Sequence, residues 1–312
     1  MEETHTEDHE EHHKPNLKHR LGKWYNKNYR LLLLIPAILL ILALLQLGYS
    51  YQQNEDFIKK DITLTGGTSI TILTQDTEIS TSDLSDFLSN KLEDFAVREL
   101  SDFRSGQQKA VIVESVLEPN ELKPIVEEYL GYNLDSDNSS IESTGSSLGE
   151  SFYTQLQIAI VISFILMAII VFIIFRSLVP STAVVISAFA DIMMTLACVN
   201  LLGMKVSSAG ITAILMLIGY SVDSDIMLTT RLLKRHGETN KNLLGAFKTG
   251  ITMTLTSIIA LSVALLITQS FSLVLKQIFI ILLIGLGFDI MNTWITNVSI
   301  LKWYLDSGGK KQ

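Results

Sequence analysis

The most regular pattern along the chain is a series of long apolar runs separated by short polar stretches. A helix of about 20 apolar residues, rising about 1.5 Å per residue, crosses the hydrocarbon core of a bilayer. The runs therefore predict six transmembrane helices. They lie at Leu31–Tyr49, Gln155–Phe175, Ala183–Leu202, Ser207–Thr230, Gly250–Thr268 and Leu273–Ile300.

The stretch between the first two runs has the mixed apolar and polar pattern of a water-soluble module. Strands are predicted at Thr68–Thr74 and Lys109–Glu114, and helices at Thr81–Leu100 and Pro119–Leu130. The Ser-, Asp- and Gly-rich stretch Asp135–Gly149 is predicted to be a return linker, or to contain one short edge strand. The pattern indicates a small α+β domain.

Composition supports a membrane protein, because 48% of the 312 residues are hydrophobic and only 18% are charged. The predicted fold class is an α-helical polytopic membrane protein with six transmembrane helices and a small α+β domain between helices 1 and 2. The single cysteine, Cys198, lies in an apolar run, so no intrachain disulfide is possible. The predicted segments are a tail and basic collar (1–30), the first span (31–49), the α+β domain (50–152), the other spans (153–302) and a second tail (303–312).

Basic residues indicate the orientation. They follow the second, fourth and sixth runs, and a basic, aromatic collar precedes the first. Short loops rich in Lys and Arg stay in the cytoplasm, so both termini are predicted to be cytoplasmic and the protein to be a multi-pass protein of the plasma membrane. The domain at 50–152 is then outside, and its acidity is no obstacle because long loops cross largely regardless of charge. A cleaved signal peptide fits poorly, since the preceding region is long and acidic.

The first nineteen residues are acidic and contain five of the six histidines, namely His5, His9, His12, His13 and His19. Their spacing matches no closed metal site, and the segment has almost no apolar residues around which to fold. We expect a solvated, flexible tail, with no metal and no cofactor.

Two acids, Asp223 and Asp225, lie inside the fourth apolar run. An ionised carboxylate at mid-membrane costs about 2.5–3.5 kcal/mol on insertion scales, so it is usually retained for a pathway, a partner or a coupling step. The alternative is that each acid hydrogen-bonds a neighbouring helix and serves packing only. Because they are two residues apart, they lie about 200° apart around the helix and cannot face the same neighbour.

Two further acids are predicted inside the membrane, Asp191 on the third helix and Asp289 on the sixth. Asn292, Thr293 and Thr296 share a face with Asp289. The nearest base, Arg231, is predicted near the interface. Some of these acids are expected to be protonated or hydrated, because an apolar environment disfavours the charged form. Acids without a cationic partner are typical of a proton relay, or of a helix surface that another subunit covers.

The fifth helix carries Thr249, Thr252 and Thr256 on one face. This helix enters from the side on which the fourth leaves, so the stripe is predicted at about the depth of Asp223 and Asp225. Its hydroxyls could donate to those carboxylates, or could be packing residues between helices.

These motifs resemble the SecF family, the accessory subunits of the Sec protein-export machinery. Gly219-Tyr220-Ser-Val, followed by acids and Arg231, resembles the fourth helix of that family. The stretch Asp61-Ile-Thr-Leu-Thr-Gly66-Gly67-Thr resembles its Gly-Gly signature, and Ser147-Leu-Gly-Glu-Ser-Phe152 its approach to the second helix. Asp289-Ile-Met-Asn-Thr-Trp294 resembles the sixth helix of the archaeal branch. The resemblance extends over nearly the whole chain from about Arg20.

The resemblance implies half of an RND-type assembly that pairs with a SecD-like six-helix membrane subunit. It also implies a ferredoxin-like outer domain and contacts with the Sec channel and the translocating polypeptide. Bacterial members use the proton gradient. Their proton-carrying acid aligns with Ser224 of this chain, between Asp223 and Asp225. The arginine that they carry on the fifth helix has no counterpart near Thr252.

Two other functions remain open from the sequence. An RND-type exporter of small molecules or lipids shares the architecture but usually carries two bundles in one chain. An intramembrane aspartyl protease needs two facing aspartates, and in Gly285-Leu-Gly-Phe-Asp289 the extra Phe288 breaks its Gly-x-Gly-Asp signature. We therefore predict a non-enzymatic subunit whose partners are proteins and the lipid bilayer, without nucleic acid.

Overall fold

The structure is a computed structural model and describes residues 28–54, 56–74, 78–102, 105–234, 239–269 and 272–308. The His-rich tail, most of the basic collar before the first helix and the last four residues lie outside these ranges. Within them, six helices are long and apolar enough to span a membrane, as predicted.

The six helices, named TM1 to TM6, contain most of each predicted apolar run, and TM2 and TM5 begin well before their runs. Their bounds are TM1 Leu34–Asn54, TM2 Ser146–Phe175, TM3 Leu178–Leu201, TM4 Ser208–Lys234, TM5 Thr239–Thr268 and TM6 Leu273–Asp306. TM6 contains a π-helical segment at Asn292–Asn297 between two α-helical parts. TM3 and TM4 are the most buried helices, whereas TM1, TM2 and TM5 expose most of their apolar side chains, as lipid-facing helices do.

A four-stranded antiparallel sheet lies between TM1 and TM2 in the chain. In chain order its elements are α1 Ile62–Thr65, β1 Gly67–Leu73, α2 Thr81–Ser89, β2 Phe95–Ser101, β3 Gln108–Ser115, α3 Pro119–Leu130 and β4 Ser139–Thr144. The strand order is β2-β3-β1-β4, with Ile70 of β1 opposite Val113 of β3 and Ile141 of β4. The buried sides of α2 and α3 close one face of the sheet, as their periodic leucines predict.

One element differs from the sequence prediction. The helix predicted over Thr81–Leu100 ends at Ser89, and Phe95–Ser101 forms strand β2 instead. Phe95 and Leu100 fit the helical period, but β2 pairs with β3 along its length, with Val97 opposite Val113. Tertiary pairing outweighs the local pattern here. The optional edge strand in the linker is present as β4.

The sheet domain is tied to the TM3–TM4 loop by backbone hydrogen bonds. The amide of Asp61 donates to the carbonyl of Val206 at 3.0 Å, and the amide of Val206 donates to the carbonyl of Lys59 at 2.6 Å. Asn200 at the end of TM3 also donates to Ser50 Oγ at 2.8 Å and to the carbonyl of Phe57 at 3.2 Å. The segment between TM1 and β1, which contains Phe57, Lys59 and Asp61, therefore holds the sheet domain against the helix bundle.

Candidate functional site: a buried polar centre

TM3, TM4 and TM6 each contribute one aspartate to the interior of the bundle. Asp191, Asp225 and Asp289 are all 0% exposed. The three carboxyl groups are close enough to interact electrostatically. Their hydrogen bonds within the described residues come from neutral hydroxyl and amide groups.

Asp191 of TM3 connects three helices. Ser221 Oγ of TM4 donates to Asp191 Oδ2 at 2.6 Å, and Asn292 Nδ2 of TM6 donates to Oδ1 at 2.7 Å. The other end of the Asn292 amide accepts from Thr296 Oγ1 at 3.0 Å. Such a network fixes the register of TM4 and TM6 against TM3, since each polar atom has a specific partner.

Asp289 of TM6 is bound by two hydroxyls. Ser224 Oγ of TM4 donates to Oδ2 at 3.2 Å, and Thr293 Oγ1 donates to Oδ1 at 3.1 Å. Ser224 is the residue onto which the family resemblance places the proton-carrying acid. In this structure its hydroxyl therefore contacts a carboxylate from another helix.

Asp225 of TM4 accepts a hydrogen bond of 2.8 Å at Oδ1 from Asn297 Nδ2. Its other oxygen, Oδ2, is buried and has no hydrogen-bonding partner within the described part of the chain. Ser187 of TM3 and Thr293 of TM6 also interact with this carboxyl group. The site is thus enclosed by the same three helices that hold Asp191.

The π-helical segment of TM6 supplies one hydrogen-bonding partner to each of the three acids. Asn292 bonds Asp191, Thr293 bonds Asp289, and Asn297 bonds Asp225. A π-helical turn inside a helix is rare and is frequently found at functional sites. The spacing of Asp289, Asn292, Thr293 and Thr296 correctly predicts one inward polar face.

The structure separates the two acids of TM4. Asp225 is buried, whereas Asp223 is exposed on the outer side of the helix, as their angular spacing predicts. Gly219 and Tyr220 are exposed with it, and Tyr220 is 40% exposed. Arg231 lies further along TM4, where its Nη1 donates to the carbonyl of Gly245 on TM5 at 2.8 Å.

Two alternatives were open for the TM5 threonines, and the structure does not show the first, in which they donate to the aspartates of TM4. Thr249, Thr252 and Thr256 donate instead to backbone carbonyls of their own helix, those of Gly245, Lys248 and Met253. Thr252 and Thr256 are exposed. A helical threonine can satisfy its hydroxyl on the preceding turn, so a stripe of threonines does not require a partner on another helix.

The glycine motifs meet where the sheet domain joins TM2. Asp61 caps α1 by accepting from the amide of Ile62, and Gly66 and Gly67 follow with φ angles of 84° and 135°, which favour glycine. A Cβ on Gly149 would lie 2.7 Å from the amide nitrogen of Gly66. The Gly66-Gly67 motif and the approach to TM2 therefore form one close backbone contact.

Ser187, Thr229 and Asn297 are buried residues of the polar centre, each 0% exposed, that the sequence analysis did not name. A signal was available for all three. Thr229 is one helical turn beyond Asp225, and Asn297 is one turn beyond Thr293, so each continues a polar face already recognised. Ser187 is one helical turn before Asp191 on TM3, so it too lies on a polar face already recognised.

Comparison with known proteins places the chain among protein-export membrane proteins. Residues 126–307 match the family model described as protein export membrane protein SecD/SecF, C-terminal. SecF of Methanolacinia petrolearia is 38% identical over 88% of this chain and 94% of its own length. SecF of Methanocaldococcus jannaschii is 37% identical over 89% of this chain and 96% of its own length.

Solved structures of SecDF share the fold. The crystal structure of SecDF from Thermus thermophilus, a translocon-associated membrane protein, superposes with a TM-score of 0.70 at 18% identity. The match covers 89% of this chain but only 38% of the SecDF chain. A second SecDF structure, in a super-membrane-facing form, matches with a TM-score of 0.59 at 16% identity. These relatives do not favour the small-molecule exporter or the intramembrane protease.

Proposed function

Since the chain belongs to the SecF family of protein-export membrane proteins, we propose that it is a non-enzymatic accessory subunit of a Sec translocase. It assists the export of polypeptides across the cytoplasmic membrane. The observation that carries this proposal is the match to SecF relatives over 94% and 96% of their own lengths. Both the bundle and the outer domain are therefore shared with them.

The partner that we propose is a SecD-like subunit with its own six-helix bundle, forming a heterodimer that binds the Sec channel. The match covers only 38% of the Thermus SecDF chain, which is consistent with a partner that supplies the rest of such an assembly. Together the two bundles form an RND-type arrangement.

The exposed acid on TM4 is the residue that we place at this bundle interface. Asp223 lies near the middle of TM4, beside the exposed side chain of Tyr220. A carboxylate facing lipid at that depth is costly, whereas one covered by a partner helix can be hydrogen-bonded or paired. Thr252 and Thr256, exposed on TM5, are further candidates for the same interface.

The outer domain is proposed to be ferredoxin-like and extracytoplasmic. Its β–α–β–β–α–β order and its sheet order β2-β3-β1-β4 support the first assignment. The basic residues after TM2 and TM4, at Arg176 and Arg231, support cytoplasmic termini and thus an outer location for the domain. A cleft of about 710 Å³ separates the open face of the sheet from the ends of TM3, TM4 and TM6, and we propose that translocating polypeptide contacts this side.

For the buried acids we propose a role in coupling, with Asp191, Asp225 and Asp289 as the groups that change protonation during transport. Their burial and their neutral hydrogen-bonding partners support this role, because a proton relay needs acids without fixed cationic partners.

A pull-down of the tagged full chain from its native membrane in mild detergent, followed by mass spectrometry, tests the partner. We expect recovery of a second six-helix protein with its own outer domain. Asp223→Leu is expected to weaken that recovery, while Thr182→Val, at an exposed position of TM3, leaves it unchanged. Recovery of the chain alone as a homo-oligomer would show that the partner assignment is wrong.

An export assay tests the functional role of the two acids on TM4. Replacing both Asp223 and Asp225 by Asn is expected to lower the rate at which secreted proteins appear outside the cell. Unchanged export together with unchanged partner association would exclude both a coupling role and an interface role for these acids.

A further inference from the structure

The ends of TM1 and TM6 that lie away from the sheet domain enclose a small cavity of about 230 Å³. Three of its lining residues come from the turns that lead into TM1 and three from the end of TM6. They are Tyr29, Arg30, Leu33, Ser299, Ile300 and Trp303. The volume is below the range of about 300–1,000 Å³ that is typical of small-molecule pockets. Of these six residues only Arg30 is charged, so the cavity combines a largely apolar wall with one exposed cation.

Tyr29 attaches the entry of TM1 to TM6. The residue is 7% exposed, and its hydroxyl donates to Asp306 Oδ2 at 2.9 Å. Its backbone carbonyl accepts a hydrogen bond of 3.1 Å from Ser299 Oγ. Both the side chain and the backbone of Tyr29 are therefore bonded to TM6, and the cavity that Tyr29 lines has fixed walls.

The same tyrosine orients the guanidinium group of Arg30. Arg30 Nε donates to Tyr29 Oη at 3.3 Å, and Arg30 Cζ lies 5.8 Å from the centroid of the tyrosine ring. The bond to Tyr29 uses one of the five N–H donors of the guanidinium group. Arginine binds phosphate oxygens through two parallel N–H donors, so an exposed arginine held in this way is suited to a phosphate group.

Charge at this end of the bundle favours an anion. Lys302 Nζ lies 5.1 Å from the centroid of the Tyr29 ring. Arg30 and Lys302 thus bring two positive charges to Tyr29, against the one negative charge of Asp306. The sequence adds to this balance, because residues 20–30 contain four basic residues and no acid. A basic cluster directly beside a membrane helix attracts the headgroups of anionic lipids.

The surroundings of the cavity favour a lipid over a soluble anion. Trp303 is 51% exposed beside it, and tryptophan and tyrosine are enriched where the hydrocarbon of a membrane meets the headgroups. Leu33 and Ile300 are half-buried and supply apolar side chains to the wall. A soluble phosphate would bind Arg30 but leave this wall uncovered, whereas a phospholipid also covers the wall with an acyl chain.

We propose that this cavity binds one anionic phospholipid, with its phosphate on Arg30 and part of an acyl chain against Leu33 and Ile300. The lipid bridges TM1 and TM6 at the level of the headgroups. In the orientation proposed above, it belongs to the cytoplasmic leaflet. The site is at the opposite end of the bundle from the sheet domain, and binding there needs no partner subunit.

The test is native mass spectrometry of the purified full-length chain in detergent, titrated with phosphatidylglycerol or with phosphatidylcholine of the same acyl chains. The readout is the dissociation constant of the first bound lipid. We expect phosphatidylglycerol to bind at least about fivefold more tightly, which is the effect of one basic group near a membrane surface. Arg30→Gln is expected to remove this preference. Ile300→Phe keeps every charge but fills part of the cavity, so it should weaken the binding of both lipids.

Arg176→Gln is the matched control. Arg176 is exposed at the end of TM2, and Oγ of the neighbouring Ser177 lies 3.3 Å from Oη of Tyr304 on TM6, so the control is at the same end of the bundle. Arg176 does not line the cavity, and its replacement should leave the lipid preference unchanged.

Several results would overturn the proposal: equal affinity of the wild type for the two lipids, wild-type binding in Arg30→Gln or in Ile300→Phe, or an equal loss of preference in Arg176→Gln. Displacement of the bound lipid by an equal concentration of free glycerol phosphate would also overturn it, because the site would then recognise the anion alone. Since no partner is needed, these results are independent of the pull-down that tests the proposed function.

Discussion

Asn292 Nδ2 donates a hydrogen bond of 2.7 Å to Asp191 Oδ1, and both residues are fully buried. This bond joins the π-helical segment of TM6 to the middle of TM3. The same amide accepts from Thr296 through its oxygen, so a single side chain satisfies a carboxylate and a hydroxyl at once. Asn292 therefore helps to fix the register of TM6 against TM3.

Replacing Asn292 by Ala is expected to destabilise the bundle by about 1–3 kcal/mol, because it leaves a carboxylate oxygen and a hydroxyl without partners in the interior. Reversible unfolding of the full chain in a fixed detergent measures the effect. Thr252→Ala serves as the control. Its hydroxyl is exposed and bonds its own helix, so a change within about 0.5 kcal/mol is expected. An equal loss in the two variants would contradict the role of Asn292.

Gly149→Ala is expected to disturb the junction between the outer domain and TM2. The added methyl would lie 2.7 Å from the Gly66 amide nitrogen and 3.1 Å from the carbonyl group of Leu64. These are backbone atoms that cannot rotate away, so we expect a loss of about 1–3 kcal/mol in the free energy of unfolding.

Gly145→Ala tests whether that loss is due to contact rather than to the removal of a glycine. Nothing lies within 4 Å of a methyl group added to Gly145, so the change should be clearly smaller. Faster hydrogen exchange at α1 and β1 in Gly149→Ala, but not in Gly145→Ala, would locate the disturbance at the junction. Similar exchange in both variants would show that the close approach is unimportant.

The buried Glu114 is expected to make the stability of the sheet domain depend on pH. It is 6% exposed and faces Arg98, whose Nη2 lies 3.1 Å from Oε2. Burial, and to a smaller extent the charge of Asp61, raises the pKa of Glu114 above its usual value, while Arg98 and Lys205 lower it by less. The folded state therefore holds this proton at pH values where the unfolded chain has released it.

Because the folded state binds this proton more tightly than the unfolded chain, Glu114 favours folding more in acid than at neutral pH. The contribution of Glu114 to stability is complete below the ordinary glutamate pKa of 4.5 and is lost as the pH rises through the raised pKa of the folded state. Glu114→Gln, which resembles the protonated form, should be more stable relative to the wild type at neutral pH than in acid. Melting temperatures over a pH series measure this. Glu142→Gln, an exposed acid lining the same cleft, should show no such trend. A constant difference across pH for Glu114→Gln would refute the assignment.

The sequence alone determined the membrane part of this protein, since apolar runs of helical length leave few alternatives in a bilayer. Six helices, the inward polar face around Asp289 and the opposite directions of Asp223 and Asp225 all follow from length and helical period. The motifs around Gly66 and Gly219 also indicated the family correctly.

Only the tertiary structure decided which polar groups meet. The hydroxyl of Thr252 donates to the backbone of its own helix, while Ser187, one turn from Asp191 on TM3, lies against Asp225 of TM4. In the outer domain, pairing with β3 converted the end of a predicted helix into β2. In each case a side chain or segment had two satisfactory local choices. Contacts between residues distant in the chain decided between these local alternatives. Such contacts cannot be derived from a local sequence pattern.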